Sequence, residues 1–176
     1  GNAIFAQRIG APLVTFHAGF LPHDAQDQER AQMLDRLAKL ADVFAGRGVR
    51  VALETGQEDA PTLLEALKAI DARTETGVKV GINFDPANMI LYGMGDPVEA
   101  VKLLGERIYQ VHIKDANPSD SLGEWGSEVP VGRGSVRWKE FMAALDGIGY
   151  AGDLLIEREA GETREQDVVA ARDYLA

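Results

Sequence analysis

Five short apolar runs recur along the chain, and they constrain its fold more than any other feature. They are rich in Val, Ile and Leu, and as a set we interpret them as near-continuous hydrophobic strands and not as alternating ones. This is the pattern of parallel strands that are covered on both faces. The predicted strands are residues 12–17, 49–54, 78–85, 108–115 and 153–157.

Helical signals separate these strands. Residues 24–46 place apolar side chains at helical spacing, while Asp59 and Asp96 can each cap a helix that carries a proline in its first turn. Thr163 and Gln166 have the spacing of a capping box. The predicted helices are residues 24–46, 59–72, 96–105, 136–148 and 163–175, and residues 1–9 are the tail of another. Strands that alternate with helices indicate βαβ units and a parallel sheet.

Two α/β architectures fit this alternation: an open, doubly wound sheet and part of a closed barrel. Length favours the open sheet, because a flavodoxin-like protein of 176 residues would be complete. A (β/α)₈ barrel needs about 250 residues. The residues at the strand ends nevertheless favour the barrel.

An ionisable residue stands at the end of each predicted strand, namely His17, Glu54, Asp85, His112 with Asp115, and Glu157. Parallel α/β folds build their sites at the carboxyl ends of strands, and in a barrel these ends converge on one point. In an open sheet they would fan out along an edge and could not share a ligand. Polar strand ends also occur where a chain simply meets solvent, but a whole series of them favours a shared site.

Four of these residues form a set of oxygen and nitrogen ligands. They are Glu54, Asp85, His112 and Glu157. Such a set suits one divalent cation, whether Mn²⁺, Mg²⁺, Co²⁺ or Zn²⁺, in a site with open coordination positions. The chain has no cysteine, which excludes thiolate metal sites, disulfides and a cysteine nucleophile.

The composition excludes several classes of partner. A net charge of −10 without basic runs argues against nucleic acid and against an anionic membrane surface. The sequence holds no apolar stretch long enough to span a bilayer, and its first residues do not have the pattern of a signal peptide. We therefore expect a cytoplasmic protein that acts on a small molecule.

The segments VALETG, INFDPAN, VHIKD and LLIERE, with PVGRG between the last two, resemble the xylose isomerase-like TIM-barrel superfamily. Its members include D-tagatose 3-epimerase, hydroxypyruvate isomerase, inosose dehydratase and endonuclease IV. The resemblance implies a partial (β/α)₈ TIM barrel with strands 4 to 8 present and strands 1 to 3 missing, in a single domain over residues 1–176. It also implies that the four ligand residues, at the ends of strands 5 to 8, bind one cation.

The function that this resemblance implies is a metal-dependent sugar isomerase or epimerase. A cation chelated by two adjacent oxygens of a sugar stabilises the enediolate that forms when the α-proton leaves, and Glu54 and Glu157 would act as general base and general acid. Candidate substrate contacts are His17, Asn88, Lys114 and Arg133. A dehydratase or lyase with the same chemistry, or a non-catalytic relative that binds metal or sugar, stays open.

Two positions depart from the epimerase pattern. The histidine that many epimerases carry three residues after the strand-6 aspartate is Asn88 here, and the arginine six residues after the strand-7 histidine is Pro118. The resemblance therefore does not imply specificity of the D-tagatose type. Endonuclease IV needs three zinc ions and many more histidines than the three of this chain, His17, His23 and His112.

Several loop residues allow two interpretations. Gly132-Arg133-Gly134 is either a phosphate cradle or, more commonly, a tight loop before a helix. Lys114 and Asp115 either orient His112 or contact substrate, or else face solvent. Trp125 has no periodic partners and is a candidate to cover the mouth of the site.

A five-stranded piece of a barrel exposes two sheet edges and an apolar interior. We therefore expect a homo-oligomer that covers the open side of the barrel.

Overall fold

The computed structural model describes residues 1–22, 24, 26–121 and 123–175. His23, one of the three histidines, lies outside these residues. The helices are α1 (Asn2–Arg8), α2 (Gln28–Ala45), α3 (Ala60–Asp71), α4 (Pro86–Leu91), α5 (Pro97–Leu104), α6 (Trp138–Gly147) and α7 (Arg164–Leu175), with a 3₁₀ turn at Gly105–Arg107. The strands are β1 (Leu13–Phe16), β2 (Arg50–Glu54), β3 (Gly81–Phe84), β4 (Ile108–Ile113), β5 (Asp115–Asn117), β6 (Ser127–Val129) and β7 (Asp153–Ile156).

A curled, parallel half-barrel of five strands forms the centre of the fold. Its strand order is β1-β2-β3-β4-β7, and every neighbouring pair is parallel. The predicted α/β class and parallel sheet are thus confirmed, and the arrangement is consistent with part of a TIM barrel. The numbering of these strands as 4 to 8 of a complete barrel stays a prediction.

The predicted strand 108–115 is wrong at its end. β4 stops at Ile113, because its neighbour β7 ends at Ile156, the residue paired with Ile113. The chain then turns into a hairpin in which β5 pairs antiparallel with β6. The hairpin is tied to α4 by the backbone N–H of Gly126, which donates to the carbonyl of Leu91 at 2.9 Å.

Two further boundaries differ from the sequence-based expectation. α2 begins at Gln28 instead of Asp24, because the carboxylate of Asp27 caps it by accepting the backbone N–H of Glu29 at 2.7 Å. β3 is shorter than the predicted 78–85, since the N–H of Val80 donates to the carboxylate of Asp71 at 3.1 Å and not to a neighbouring strand.

The short helix α4 was not expected. Asp85 ends β3 and caps this helix at once, with its carboxylate accepting the N–H of Asn88 at 2.9 Å. Pro86 at the first helical position suits that start, because the N–H it lacks would have no partner there. The predicted caps at Asp59 and Asp96 are confirmed, since each accepts a backbone N–H of its helix.

β3 shows how the sheet divides its two faces. Ile82 and Phe84 face the helices and are fully buried, and the ring of Phe84 lies 5.6 Å from that of Phe141 in α6. Asn83 and Asp85 lie on the opposite, concave face, because side chains alternate along a strand. The apolar core thus lies between sheet and helices, and the polar site lies inside the curl.

Apolar side chains are exposed at both edges of the half-barrel. Leu154 and Leu155 of the edge strand β7 are 42% and 39% exposed, and Phe5 and Ile9 are exposed near the other edge strand, β1. No helix within the described ranges is long and apolar enough to cross a membrane.

We predict that the chain assembles into homo-oligomers through these open edges, because unpaired strands and exposed leucines favour association. Light scattering after size-exclusion chromatography should give a mass of at least two chains. Leu155→Lys should weaken the assembly by placing a charge on the exposed strand. A monodisperse monomer across a concentration series would contradict the prediction.

Candidate metal centre

Four strand ends bring their ionisable side chains to one place. Glu54 ends β2, Asp85 follows β3, His112 lies in β4 and Glu157 follows β7. Each offers one ligand atom, and these atoms all lie within 4.8 Å of one another. We call these residues the quartet. The convergence expected for a curled sheet is therefore present.

The donor atoms of the quartet surround a single imidazole nitrogen. Nδ1 of His112 lies 3.3 Å from Oδ2 of Asp85, 3.3 Å from Oε2 of Glu157 and 3.5 Å from Oε1 of Glu54. One N–H cannot donate well to three oxygens. Ligands placed about 2.0–2.2 Å from a cation at tetrahedral corners lie about 3.3–3.6 Å apart, so these spacings fit a divalent ion.

The three carboxylates of the quartet stabilise positive charge at its centre. Burial lowers the pKa of His112, but hydrogen bonds to Asp85, Glu157 and Glu54 outweigh it and raise that pKa to about 11. The hydrogen bond from His112 in turn lowers the pKa of Glu157 to about 2. Burial raises the pKa of Asp85. Three clustered carboxylates thus favour a cation at their centre, either a proton on His112 or a metal ion.

Lys114 is buried beside the quartet, with its side chain only 2% exposed. Its ammonium donates to Glu157 at 2.9 Å and to Glu159 at 2.5 Å, and it lies 3.8 Å from Asp85. These carboxylates raise its pKa against the opposing effect of burial. The structure therefore brings this predicted residue into the site as a fixed positive charge.

His17 and Asn88 hold one oxygen of Glu54. Nε2 of His17 lies 3.2 Å from Oε1 of Glu54, and the amide of Asn88 donates to the same oxygen at 3.0 Å. Gly56 allows Asn88 to come so close, because a Cβ at this position (φ +117°) would overlap the side chain of Asn88. Both predicted residues therefore border the quartet.

The sequence pattern of the xylose isomerase-like TIM-barrel family matches residues 3–176. The chain belongs to this family. The crystal structure of a xylose isomerase domain protein from Planctomyces limnophilus is similar, with 35% identity and a TM-score of 0.87. The match covers 98% of this chain and 60% of that one, so the chain spans about three fifths of the relative's length.

Three other solved structures are similar at lower identity and show the fold alone. A D-tagatose 3-epimerase-like protein is 23% identical (TM-score 0.73, 99% of this chain and 64% of that one). The probable 3-DHS dehydratase AsbF from Bacillus anthracis is 20% identical (TM-score 0.78, 99% and 67%). The IolI protein with a binding zinc atom is also 20% identical (TM-score 0.75, 99% and 65%).

In this xylose isomerase-like chain, Asp115 serves the loop that follows the hairpin and does not contact His112. Its carboxylate accepts five hydrogen bonds, from the backbone N–H groups of Ala116, Gly132, Gly134 and Val136 and from the indole of Trp138. The glycine N–H groups that would cradle a phosphate are therefore already bonded to a carboxylate. The interpretation of Gly132-Arg133-Gly134 as a tight loop fits this geometry.

Arg133 is the one predicted substrate contact that is not bonded to the quartet among the described residues. Its side chain is exposed and forms no hydrogen bond or ion pair with the residues that the structure describes. Its role stays a prediction.

Glu128 and Glu159 are site residues that the sequence reasoning missed. Glu128 lies in β6. Its carboxylate accepts a hydrogen bond from the guanidinium of Arg158 at 2.6 Å and from the backbone N–H groups of Glu159 and Ala160 at 3.0 and 3.1 Å. The loop that it holds also carries Glu157. Glu159 stands two residues after Glu157 in the segment LLIERE, so the alternation of side chains along an extended segment could have placed both glutamates on the same side. No local sequence signal connects Glu128 with these two residues.

An aromatic row lies on loops at the same end of the sheet. The ring of Tyr92 packs edge-on against Phe20 at 6.3 Å and Trp125 at 5.1 Å. Tyr92 follows Asn88 by one helical turn, and Phe20 follows His17 by three residues. Trp125 is 68% exposed, so the row presents an apolar surface to solvent. Its expected role in covering the mouth stays a prediction.

We predict that Glu128→Gln loosens the loop at residues 158–160. The substitution removes the negative charge that pairs with the buried guanidinium of Arg158, so the free energy of unfolding should fall by about 2 kcal/mol. Amide hydrogen exchange at Glu159 and Ala160 should accelerate. The matched control is Glu99→Gln, because Glu99 pairs with Lys102 in an exposed position and should change stability by at most about 0.5 kcal/mol. Equal effects of both variants would contradict the prediction.

Proposed function

We propose that this chain provides the metal site and the acid–base pair of a divalent-metal-dependent sugar isomerase or epimerase. The convergence of the quartet's donor atoms within 4.8 Å carries the proposal. Because the chain spans only part of its relatives, the complete activity is proposed for the protein in which these residues face a whole substrate pocket.

Glu54, Asp85, His112 and Glu157 would hold the cation. Three carboxylate oxygens and one imidazole nitrogen suit Mn²⁺, Mg²⁺, Co²⁺ or Zn²⁺. The zinc in the structure of the similar IolI protein supports a metal in this fold. When bound, such an ion polarises the carbonyl and the adjacent hydroxyl oxygen of a hydroxy ketone. It thereby eases removal of the α-proton from the carbon that carries the hydroxyl.

Glu54 and Glu157 are suited to move that proton. Oε1 of Glu54 is held by His17 and Asn88, whereas its Oε2 forms no hydrogen bond with any described residue. Oε2 of Glu157 is held by Lys114, and its Oε1 is likewise without a partner among the described residues. Each glutamate therefore has one anchored oxygen and one free oxygen, which supports roles as general base and general acid.

The surrounding residues would bind and orient the substrate. His17 is partly exposed and could accept or donate at a sugar hydroxyl, and Lys114 offers positive charge to a developing oxyanion. The aromatic row would face the non-reacting carbons of the substrate. Arg133 would contact a substrate group farther from the quartet.

A dehydratase is the second candidate, supported by the likeness to the probable dehydratase AsbF. It would use the same base to remove the α-proton, and a hydroxyl would then leave from the next carbon as water. The products therefore distinguish it from an isomerase, which keeps every hydroxyl.

We predict that the chain binds one Mn²⁺ or Zn²⁺ ion and that Glu157→Gln weakens this binding at least about tenfold, because it removes one negatively charged ligand. Isothermal titration calorimetry measures both. Glu99→Gln removes an exposed carboxylate elsewhere and should bind as the wild type does. A wild-type chain without stoichiometric binding would overturn the proposed site.

The catalytic claim predicts solvent exchange at the α-carbon. In the protein that holds the whole substrate pocket, with Mn²⁺ in D₂O, a panel of ketoses should take up deuterium beside the carbonyl, and Glu54→Gln should slow the uptake on the order of 100-fold. Nuclear magnetic resonance of the sugars measures it, with Glu99→Gln again as control. Metal binding without exchange into any ketose would contradict the enzyme and favour a binding relative, and loss of water would favour the dehydratase.

A further inference from the structure

Asn83 is a fully buried residue of β3 that lies next to the quartet. Its amide nitrogen lies 2.9 Å from Nε2 of His112. Its amide oxygen is the one buried side-chain atom, among the residues that the structure describes, without a hydrogen-bond partner. An orphaned buried oxygen is costly, so its position next to a candidate metal ligand calls for an explanation.

The two ring nitrogens of His112 have different neighbours. Nδ1 faces the carboxylates of the quartet, and Nε2 faces Asn83. A histidine binds a cation through a nitrogen that carries a lone pair. If Nδ1 is the ligand atom, the ring hydrogen must therefore be on Nε2, and this N–H needs an acceptor.

We propose that Asn83 is the positioning residue that holds His112 in this metal-binding tautomer. Its amide group turns over about χ2, so that Oδ1 accepts the hydrogen of Nε2 and the lone pair of Nδ1 points into the quartet. The two ends of a carboxamide have nearly the same size and shape, so the turn displaces no neighbour. The oxygen thereby gains a partner, and the amide nitrogen moves to the position that the oxygen occupied.

The backbone of Asn83 is held independently of this side chain. Asn83 pairs with Glu54 of the neighbouring strand, and its carbonyl accepts the N–H of Thr55 at 3.1 Å. A side-chain substitution of similar volume can therefore change the acceptor without moving the strand. The inference rests on the proposed cation site, because only a ligand at Nδ1 requires this tautomer.

Two substitutions separate an acceptor from a donor at this position. Asn83→Leu removes both, whereas Asn83→Asp keeps the shape and can only accept. We expect Zn²⁺ affinity, measured by titration calorimetry, to fall about ten- to hundredfold in Asn83→Leu and to stay within about threefold of wild type in Asn83→Asp. Unchanged affinity in Asn83→Leu, or an equal loss in both variants, would overturn the inference.

A neighbouring substitution and a spectroscopic signature exclude a merely structural role. Ile82→Val trims a fully buried side chain on the opposite face of the same strand, so it should lower the melting temperature without changing Zn²⁺ affinity. The ¹⁵N spectrum of the zinc-loaded wild type should show hydrogen on Nε2 of His112 and none on Nδ1. The reverse assignment would refute the role of Asn83.

The same experiments distinguish this inference from the proposed function. A wild-type chain that does not bind Zn²⁺ refutes the cation site, and the inference falls with it. A wild-type chain that binds Zn²⁺, together with an Asn83→Leu variant of equal affinity, refutes the inference alone.

Discussion

The crowding of three carboxylates around one imidazole nitrogen is the constraint on which the rest of the site depends. Like charges this close repel strongly when partly buried, so the fold must supply positive charge or hydrogen-bond donors nearby. Lys114 supplies a buried ammonium, and His17 and Asn88 supply polar contacts to Glu54. The negative charge that remains uncompensated lies at the centre of the quartet, where the spacing of the donor atoms suits a divalent cation.

The β5–β6 hairpin gives mechanical support to this centre. The carboxylate of Asp115 accepts hydrogen bonds from five donors and so connects the hairpin to the loop that follows it. The carboxylate of Glu128 connects the hairpin to the loop that carries Glu157 and Glu159. Asp115 and Glu128 thus have both carboxylate oxygens bonded within the fold, whereas Glu54 and Glu157 each keep one oxygen without a partner among the described residues.

Much of the site could be predicted because strand ends are a local signal. An apolar run followed by Glu54 or Asp85 indicates both the strand and the side chain at its carboxyl end. The hairpin could not be predicted in this way, since no turn residue separates Ile113 from Asp115 and the pattern of residues 108–115 predicts one strand. The roles of Asn83 and Glu128 were also missed, because each depends on a contact with a residue 29 or more positions away.

Local signals along the chain were enough to predict the alternation of strands and helices, the caps at Asp59 and Asp96, and the positions of the four candidate ligands, because each depends on neighbours within a few residues. Which polar residues meet depends on tertiary packing. The curl of the sheet and the turn after Ile113 direct Lys114 towards Glu157 and Asp115 into the loop, although the two are adjacent in the chain. Side-chain direction at a strand end follows from what packs against it, and that information is not local.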